Sequence, residues 1–168
     1  MRLFHLSDDP TVTRFEPRPS AHMEQGVVWA IAAERIAHYL LPRDCPRVCF
    51  RAGPESTKDD VETLLGPHAA VVAIEADWEE RVRTEKLYRY ALPSGGFALL
   101  DAGAGYYVSQ EPVAPTGMEV IDDLPAAIAG AGATLLVLPS LWDLHDAVAE
   151  SSLVFSMIRM RNAAVRAP

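Results

Sequence analysis

The stretch "LYRYALPSGGFALLDAGAGYYVSQEPV" (residues 87–113) decides the fold. Two apolar alternating runs lie on either side of the turn sequence PSGG, and a third run follows Gly103 and Gly105. Short runs separated by glycine-rich turns are typical of antiparallel strands that follow one another as a meander. The stretch therefore predicts sheet material without the regular strand and helix alternation of a doubly wound parallel fold.

Shorter segments on both sides of this stretch complete the pattern. Apolar runs predict strands, and apolar residues at helical spacing predict helices. The predicted strands are 2–7, 27–31, 47–52, 69–76, 118–121 and 134–139, and the predicted helices are 32–41, 56–66, 77–86 and two that start near residues 122 and 140. Residues 11–26 are predicted to form a long loop, and the tail 151–166 favours helix slightly over strand. Residues 1–168 are thus predicted to form a single α+β domain, in which helices pack alongside a mixed, largely antiparallel sheet.

Composition restricts the partners. The formal net charge is −8, with 15 basic and 23 acidic residues. Duplex nucleic acid and anionic lipid require clustered positive charge, so neither is expected as a partner. No apolar run approaches the roughly 20 residues of a membrane span, and the start of the chain does not resemble a signal peptide. Cys45 and Cys49 are expected to be reduced thiols. We therefore expect a cytoplasmic protein without a membrane partner.

The histidines offer no metal site. No two of the five are spaced to bind one ion, so no metal is expected. His38 and His145 fall on predicted helices, where we expect them to face solvent or to cap. His68 follows a Gly-Pro turn and is expected to be exposed.

His5 and Glu111 are the candidate site residues. His5 lies within the first predicted strand, where a buried imidazole costs free energy unless its nitrogens are paired. Strand alternation places Tyr107, Ser109 and Glu111 on one face, where an aromatic ring, a hydroxyl and a carboxylate converge. The alternatives are a structural histidine with satisfied hydrogen bonds and a solvated glutamate at a strand end.

Four stretches resemble those of a small bacterial family of uncharacterised proteins. They are LFHLSDDPTVTRFEPR, VVWAI, LPRDCPRV and FSMIRMRNA, which are spread over the length of the chain. This resemblance implies no activity.

Three shorter pieces resemble the ADP-ribosyltransferase-like fold and its RNA 2'-phosphotransferase relatives. They are the first strand, Leu3 to Ser7, of the type Leu-x-His-x-Ser/Thr; the second strand, Val28 to Ile31; and the late strand Tyr107 to Val113, which contains YVSQEPV. The resemblance implies an ADP-ribosyltransferase-like architecture and NAD, or an ADP-ribose-like nucleotide, as ligand.

The same resemblance implies roles for individual residues. His5 would hold the ribose, and Glu111 would orient it and stabilise positive charge as nicotinamide leaves. Trp29 or Tyr39 would supply the pocket aromatic. The cofactor-binding residues implied in this way are Trp29, Tyr39, Tyr107 and Ser109.

Two functions compete at this point. The first is a nucleotide-binding domain with potential ADP-ribosyl transfer activity. The second is a non-catalytic binding or protein-interaction domain on the same scaffold, whose protein partner the sequence does not identify. Near-contact geometry between the two candidate site residues distinguishes them, because electrostatic catalysis requires it.

Overall fold

A computed structural model describes residues 1–20 and 23–166, which form two β-sheets with helices between and beside them. We number the strands in chain order. The larger sheet is antiparallel, has seven strands and follows the order β7-β8-β3-β1-β6-β9, with β2 paired to β3. Its strands are β1 (Leu3–Ser7), β2 (Arg18–Ser20), β3 (Met23–Ala32), β6 (Leu87–Leu92), β7 (Ala98–Asp101), β8 (Tyr106–Ser109) and β9 (Gly117–Ile121).

The smaller sheet has four strands in the order β10-β5-β4-β11. Only the β5–β10 pair is parallel. The strands are β4 (Arg47–Arg51), β5 (Ala70–Glu75), β10 (Thr134–Leu138) and β11 (Val154–Ile158). A parallel pair requires a long crossover, which here includes β6 and β9 from one end of the larger sheet, β7 and β8 from its other end, and two α-helices.

The helices are short. The α-helices are α1 (Lys58–Asp60), which continues as the π-helical turn Val61–Leu65, α2 (Glu79–Thr84), α3 (Leu124–Gly130) and α4 (Trp142–Glu150). Three 3₁₀ helices span Ala33–Tyr39, Ala76–Trp78 and Met160–Asn162. Within the described ranges, no helix has the length and apolar composition to cross a bilayer.

Side-chain capping starts two of the α-helices. The Asp123 carboxylate accepts from the Ala126 amide at the start of α3, as expected for a helix near residue 122. At α1 the capping residue is Thr57, whose hydroxyl accepts from the Asp60 amide. The neighbouring Ser56 hydroxyl instead accepts from the Gly53 amide and closes the preceding turn.

The main core cluster takes residues from both sheets and from the helices between them. Its buried members include Cys49 and Val72 of the smaller sheet and Leu87 and Ile121 of the larger sheet. A second cluster lies between the smaller sheet and α4. A third covers the outer face of the larger sheet, which is the face turned away from the main cluster; the inner face is the one that contributes to the main cluster. Each sheet is therefore covered on both faces over much of its area.

The predicted fold class is confirmed: the chain is α+β, with largely antiparallel sheets and helices alongside. Two local predictions are wrong. Within the predicted loop 11–26, residues 18–20 form β2, which pairs with the first half of β3. Ala21 and His22 of this predicted loop lie outside the described residues. The tail is not mainly helical, because Val154–Ile158 pairs with β4 as the edge strand β11.

Candidate functional site

The His5 side chain connects β1 to β3 just beyond the last backbone pair of these two strands. The pairing of these strands ends at Phe4 and Ile31, and the next polar contact is made by the His5 side chain. Its Nδ1 lies 2.9 Å from the Trp29 carbonyl oxygen. Because a carbonyl only accepts, Nδ1 must carry the proton. Burial lowers the pKa of His5; the bond to Trp29 opposes this shift, and the charge of Arg43 adds to it.

The predicted site residues lie on two different faces of the larger sheet. Strand register places His5 in line with Ala30 and Tyr107, so His5 and Tyr107 share the outer face. Ser109 is two residues further along β8 on the same face. Trp29 points to the inner face. Tyr39 lies on that face too, and its ring centroid is 5.5 Å from the ring centroid of Tyr106. The structure therefore does not combine the six predicted residues into one pocket.

Glu111 lies two residues beyond the end of β8, and its side chain is exposed. Its backbone amide donates to the Ser109 hydroxyl at 3.2 Å, and that hydroxyl donates back to the Glu111 carbonyl at 3.1 Å. Within the described part of the chain, the Glu111 carboxylate makes no hydrogen bond or ion pair. The ring of Phe15 lies against His5, 4.5 Å between centroids, and the Phe15 backbone pairs with Val113. The ribose and transition-state roles of His5 and Glu111 stay predictions.

The inner face of the larger sheet carries an aromatic cluster, which consists of Trp29, Tyr39 and Tyr106. The Trp29 and Tyr106 rings meet edge to face at 5.1 Å. The Tyr39 hydroxyl donates to the Ala104 carbonyl at 3.3 Å, and burial raises the pKa of Tyr39. All three rings are half-buried, so each retains an accessible part.

Next to this cluster is a second group, the arginine–histidine cluster of Arg35, His38, Arg47 and Arg51. Arg35 and His38 are three residues apart on the 3₁₀ helix Ala33–Tyr39, and this spacing places them on one side of such a helix. Arg47 and Arg51 lie two residues on either side of Cys49 in β4, so all three share the face of β4 that meets the core between the sheets.

Arg47 is a fixed structural charge. It is only 3% exposed, and its guanidinium donates to four backbone carbonyls. The acceptors are those of Cys45 at 2.9 Å, His38 at 3.0 Å, Pro42 at 2.8 Å and Arg43 at 3.4 Å. The bonds to His38 and Cys45 satisfy buried carbonyls at the end of the 3₁₀ helix and after it, whereas the Pro42 carbonyl also accepts from the Cys45 amide.

His38 and Arg51 are not satisfied in the same way. His38 is 5% exposed, and its Nδ1 has no hydrogen-bond partner among the described groups; the same is true of the buried Nε of Arg51. The three arginines of the cluster form no ion pair with any described carboxylate. Burial, together with the charges of Arg35, Arg51 and Arg47, lowers the pKa of His38 to about 4. The imidazole is therefore neutral at neutral pH.

The loop between β7 and β8 forms one wall of this cluster. Arg35 donates from Nε to the Gly103 carbonyl at 3.2 Å. Gly105 has a φ of +72°, and a Cβ there would lie 2.6 Å from Arg35 Cγ. Glycine is required at this position by its backbone conformation and by the close approach of the arginine stem. The guanidinium is held beside the loop while part of it remains accessible.

Comparison with known proteins identifies the family. A family model described as a family of unknown function, DUF6886, matches residues 4–163. The chain belongs to DUF6886. No curated protein and no solved structure matches it. Membership of DUF6886 agrees with the predicted full-length resemblance to an uncharacterised family, whereas the ADP-ribosyltransferase-like resemblance gains no support from these comparisons.

Sequence reasoning missed the arginine–histidine cluster of this DUF6886 member. His38 was expected to face solvent or to cap a helix, and this prediction is wrong, because the side chain is buried between the sheets. His68 is exposed as expected. The available signal was the group of arginines at 35, 43, 47 and 51 in an acidic chain, which composition alone did not distinguish from a uniform preference for arginine.

Proposed function

We propose that this domain binds a phosphate-bearing nucleotide, of the NAD or ADP-ribose class, between the two sheets. The phosphates lie at the arginine–histidine cluster, and the base lies against the aromatic cluster. The observation that carries the proposal is the pair of buried, unpartnered nitrogens, His38 Nδ1 and Arg51 Nε, in a group of arginines without carboxylate partners. Transfer chemistry is not part of the proposal.

Charge explains the choice of a phosphate. Anions stabilise cations that are partly removed from water, and the half-buried Arg35 and Arg51 have no ion-pair partner among the described residues. Burial lowers the pKa of Arg51, and the nearby charge of Arg35 lowers it further. A pyrophosphate bound here would compensate both charges. Arginine is suited to this contact because its planar fork matches phosphate oxygens.

The aromatic side chains explain the choice of a nucleotide over inorganic phosphate. His38 and Tyr39 are adjacent, with ring centroids 6.2 Å apart, so the two clusters are continuous. Trp29 and Tyr106 offer partly accessible ring surface beside them. Stacking on an aromatic side chain contributes about 1–3 kcal/mol per base. This arrangement retains Trp29 and Tyr39 from the predicted cofactor-binding residues and adds Tyr106.

Isothermal titration calorimetry with ADP-ribose and NAD tests the proposal. Adenosine, which lacks phosphate, and ribose 5-phosphate, which lacks the base, should each bind at least about tenfold more weakly than ADP-ribose, because each loses one set of contacts. Arg51→Gln should weaken ADP-ribose binding by a similar factor. Arg18→Gln is the matched control, since Arg18 is exposed on β2 of the other sheet. Equal affinity of Arg51→Gln and the wild type, or no saturable heat with either nucleotide, would contradict the proposal.

A further inference from the structure

Residues 163–166, which we call the strap, lie against the smaller sheet at the end of β5 and the start of α4. The strap follows the 3₁₀ helix Met160–Asn162. None of its four residues is buried, and Val165 is 96% exposed. The strap is therefore held by contacts at the surface and not by packing in a core.

Two side chains of the folded domain hold the main chain of one strap residue. The Ala164 amide donates to Glu75 Oε2 at 2.9 Å, and the Ala164 carbonyl accepts from Trp142 Nε1 at 2.7 Å. In a helix or a sheet, other main-chain groups would make these bonds. Here a carboxylate and an indole make them instead. Because every residue except proline carries both main-chain groups, these two contacts exclude only proline at this position.

The arginine of the strap makes a second and more selective contact. The Arg166 guanidinium donates to both oxygens of Asp146, each at 2.9 Å, and its Cζ lies 4.4 Å from the Trp142 ring centroid. The Asp146 carboxylate also accepts from His145 Nδ1 at 2.9 Å. Trp142 and Asp146 are four residues apart, so they share one face of α4. A planar guanidinium matches a carboxylate and a ring face together, which a lysine ammonium does not.

Glu75 explains why this site favours an occupant. The residue is 4% exposed, and its Oε1 accepts from the Leu141 amide at 3.3 Å. Among the described groups, Oε2 accepts only from the strap. Departure of the strap would leave this carboxylate oxygen without its donor, which costs free energy. An occupant that presents a main-chain N–H restores the bond.

Few contacts join the strap to the domain. Its one remaining hydrogen bond to a described residue runs from the Ala163 amide to the Met160 carbonyl in the adjacent 3₁₀ helix. A segment held in this way can leave without opening a core. A short tethered segment acts at an effective concentration of the order of millimolar, so it competes with a partner without excluding it.

We propose that Glu75, Trp142 and Asp146 form a binding site for a segment of a partner protein, in which an arginine stands two positions after a non-proline residue. The main chain of the partner takes the place of Ala164, and its guanidinium takes the place of Arg166. Charge supports a basic partner, because both carboxylates of the site are acidic and the net charge of the chain is −8. The site shares no residue with the arginine–histidine cluster or the aromatic cluster, so it does not depend on the proposed nucleotide function.

The test uses the capped peptide Ac-Ala-Ala-Val-Arg-NH₂, which repeats residues 163–166, and its analogue with glutamine in place of arginine. In ¹H–¹⁵N correlation spectra of the full chain, the Trp142 indole N–H reports binding. Arg166→Gln weakens the strap, so this variant should be half-saturated at about 1 mM peptide, and the wild type should bind at least about tenfold more weakly. The glutamine peptide should bind Arg166→Gln at least about tenfold more weakly than the arginine peptide does.

Matched variants locate the site. Arg161→Gln removes a charge at an exposed position outside the strap, so it should bind the peptide as the wild type does. In the Arg166→Gln background, Asp146→Asn should weaken peptide binding by about tenfold. In the same background, Asp143→Asn, at an exposed position of α4, should leave binding unchanged. Unchanged chemical shifts elsewhere in the spectrum would show that each variant is folded.

Four results would overturn the proposal. They are the absence of a saturable shift in Arg166→Gln up to about 10 mM peptide, equal affinity of the wild type and Arg166→Gln, equal binding of the glutamine peptide, and equal binding after Asp146→Asn. Addition of ADP-ribose separates this proposal from the nucleotide proposal. Shifts caused by the peptide should persist in its presence, and failure of either ligand to bind leaves the other result intact.

Discussion

Acidification should destabilise this protein through His38. Burial and three neighbouring arginines lower the pKa of His38 from 6.5 to about 4 in the folded state. The unfolded chain therefore binds more protons between these two values, and the stability falls as the pH falls through that window. At about 1.36 kcal/mol per pKa unit, the full effect below pH 4 is about 3 kcal/mol, of which about 2 kcal/mol is already lost at about pH 5. This is a large fraction of a typical stability of about 5–15 kcal/mol.

Urea unfolding of the wild type and of His38→Gln, at about pH 7.5 and about pH 5, measures this effect. The wild type should lose about 2 kcal/mol more than the variant, because the variant has no imidazole at this position. Other titrating groups are present in both proteins, so their contributions cancel in the difference. His68→Gln, at an exposed histidine, should follow the wild type. If His38→Gln and the wild type lose the same stability, the imidazole is not held neutral by its surroundings and the reasoning is refuted.

Three further experiments test side-chain packing and the hydrogen bonding of buried polar groups. Arg47→Met removes the guanidinium donor from the buried carbonyls of His38 and Cys45, so urea unfolding should show a loss of about 3 kcal/mol, against less than about 0.5 kcal/mol for the exposed Arg161→Met; similar losses would contradict a structural role. Gly105→Ala should lower the free energy of unfolding by at least about 1 kcal/mol, because φ is positive at this position and the added Cβ would contact the Arg35 side chain. Gly117→Ala, which has open space around its Cβ, should not lower it. Equal melting temperatures of the two variants would refute this reasoning. Burial raises the pKa of the two cysteine thiols to about 11 and about 12, so neither should react with a disulfide reagent until the protein unfolds; rapid labelling of the folded protein would count against the structure.

Strands with local turn signals could be predicted from the sequence. Residues 87–113 contain their own turns, so β6, β7 and β8 follow from short-range chemistry. The tail could not be assigned in this way, because its apolar residues suit either spacing. Val154–Ile158 becomes a strand through its pairing with β4, which lies far away in sequence. Such tertiary context decides strand formation when local preference is weak.

The candidate site was less predictable than the fold. The expectation that a buried His5 needs a polar partner follows from its strand position, and the Trp29 carbonyl is that partner. Which face of the sheet receives Trp29 depends on strand register, which a single sequence does not specify. The burial of His38 depends on the 3₁₀ helix lying between two sheets, and no local pattern reports the position of a helix relative to distant strands.

The distance along the chain between β4 and β11 also affects folding during synthesis. About 100 residues separate Arg51 from Val154, so at about 5–20 residues per second the apolar edge of β4 waits about 5–20 seconds for its last partner. An apolar strand edge without a partner is a template for pairing with other chains. Chains released before Val154–Ile158 is made would retain this edge permanently. Truncated products should therefore aggregate, and they should depend on chaperones more strongly than the full-length chain.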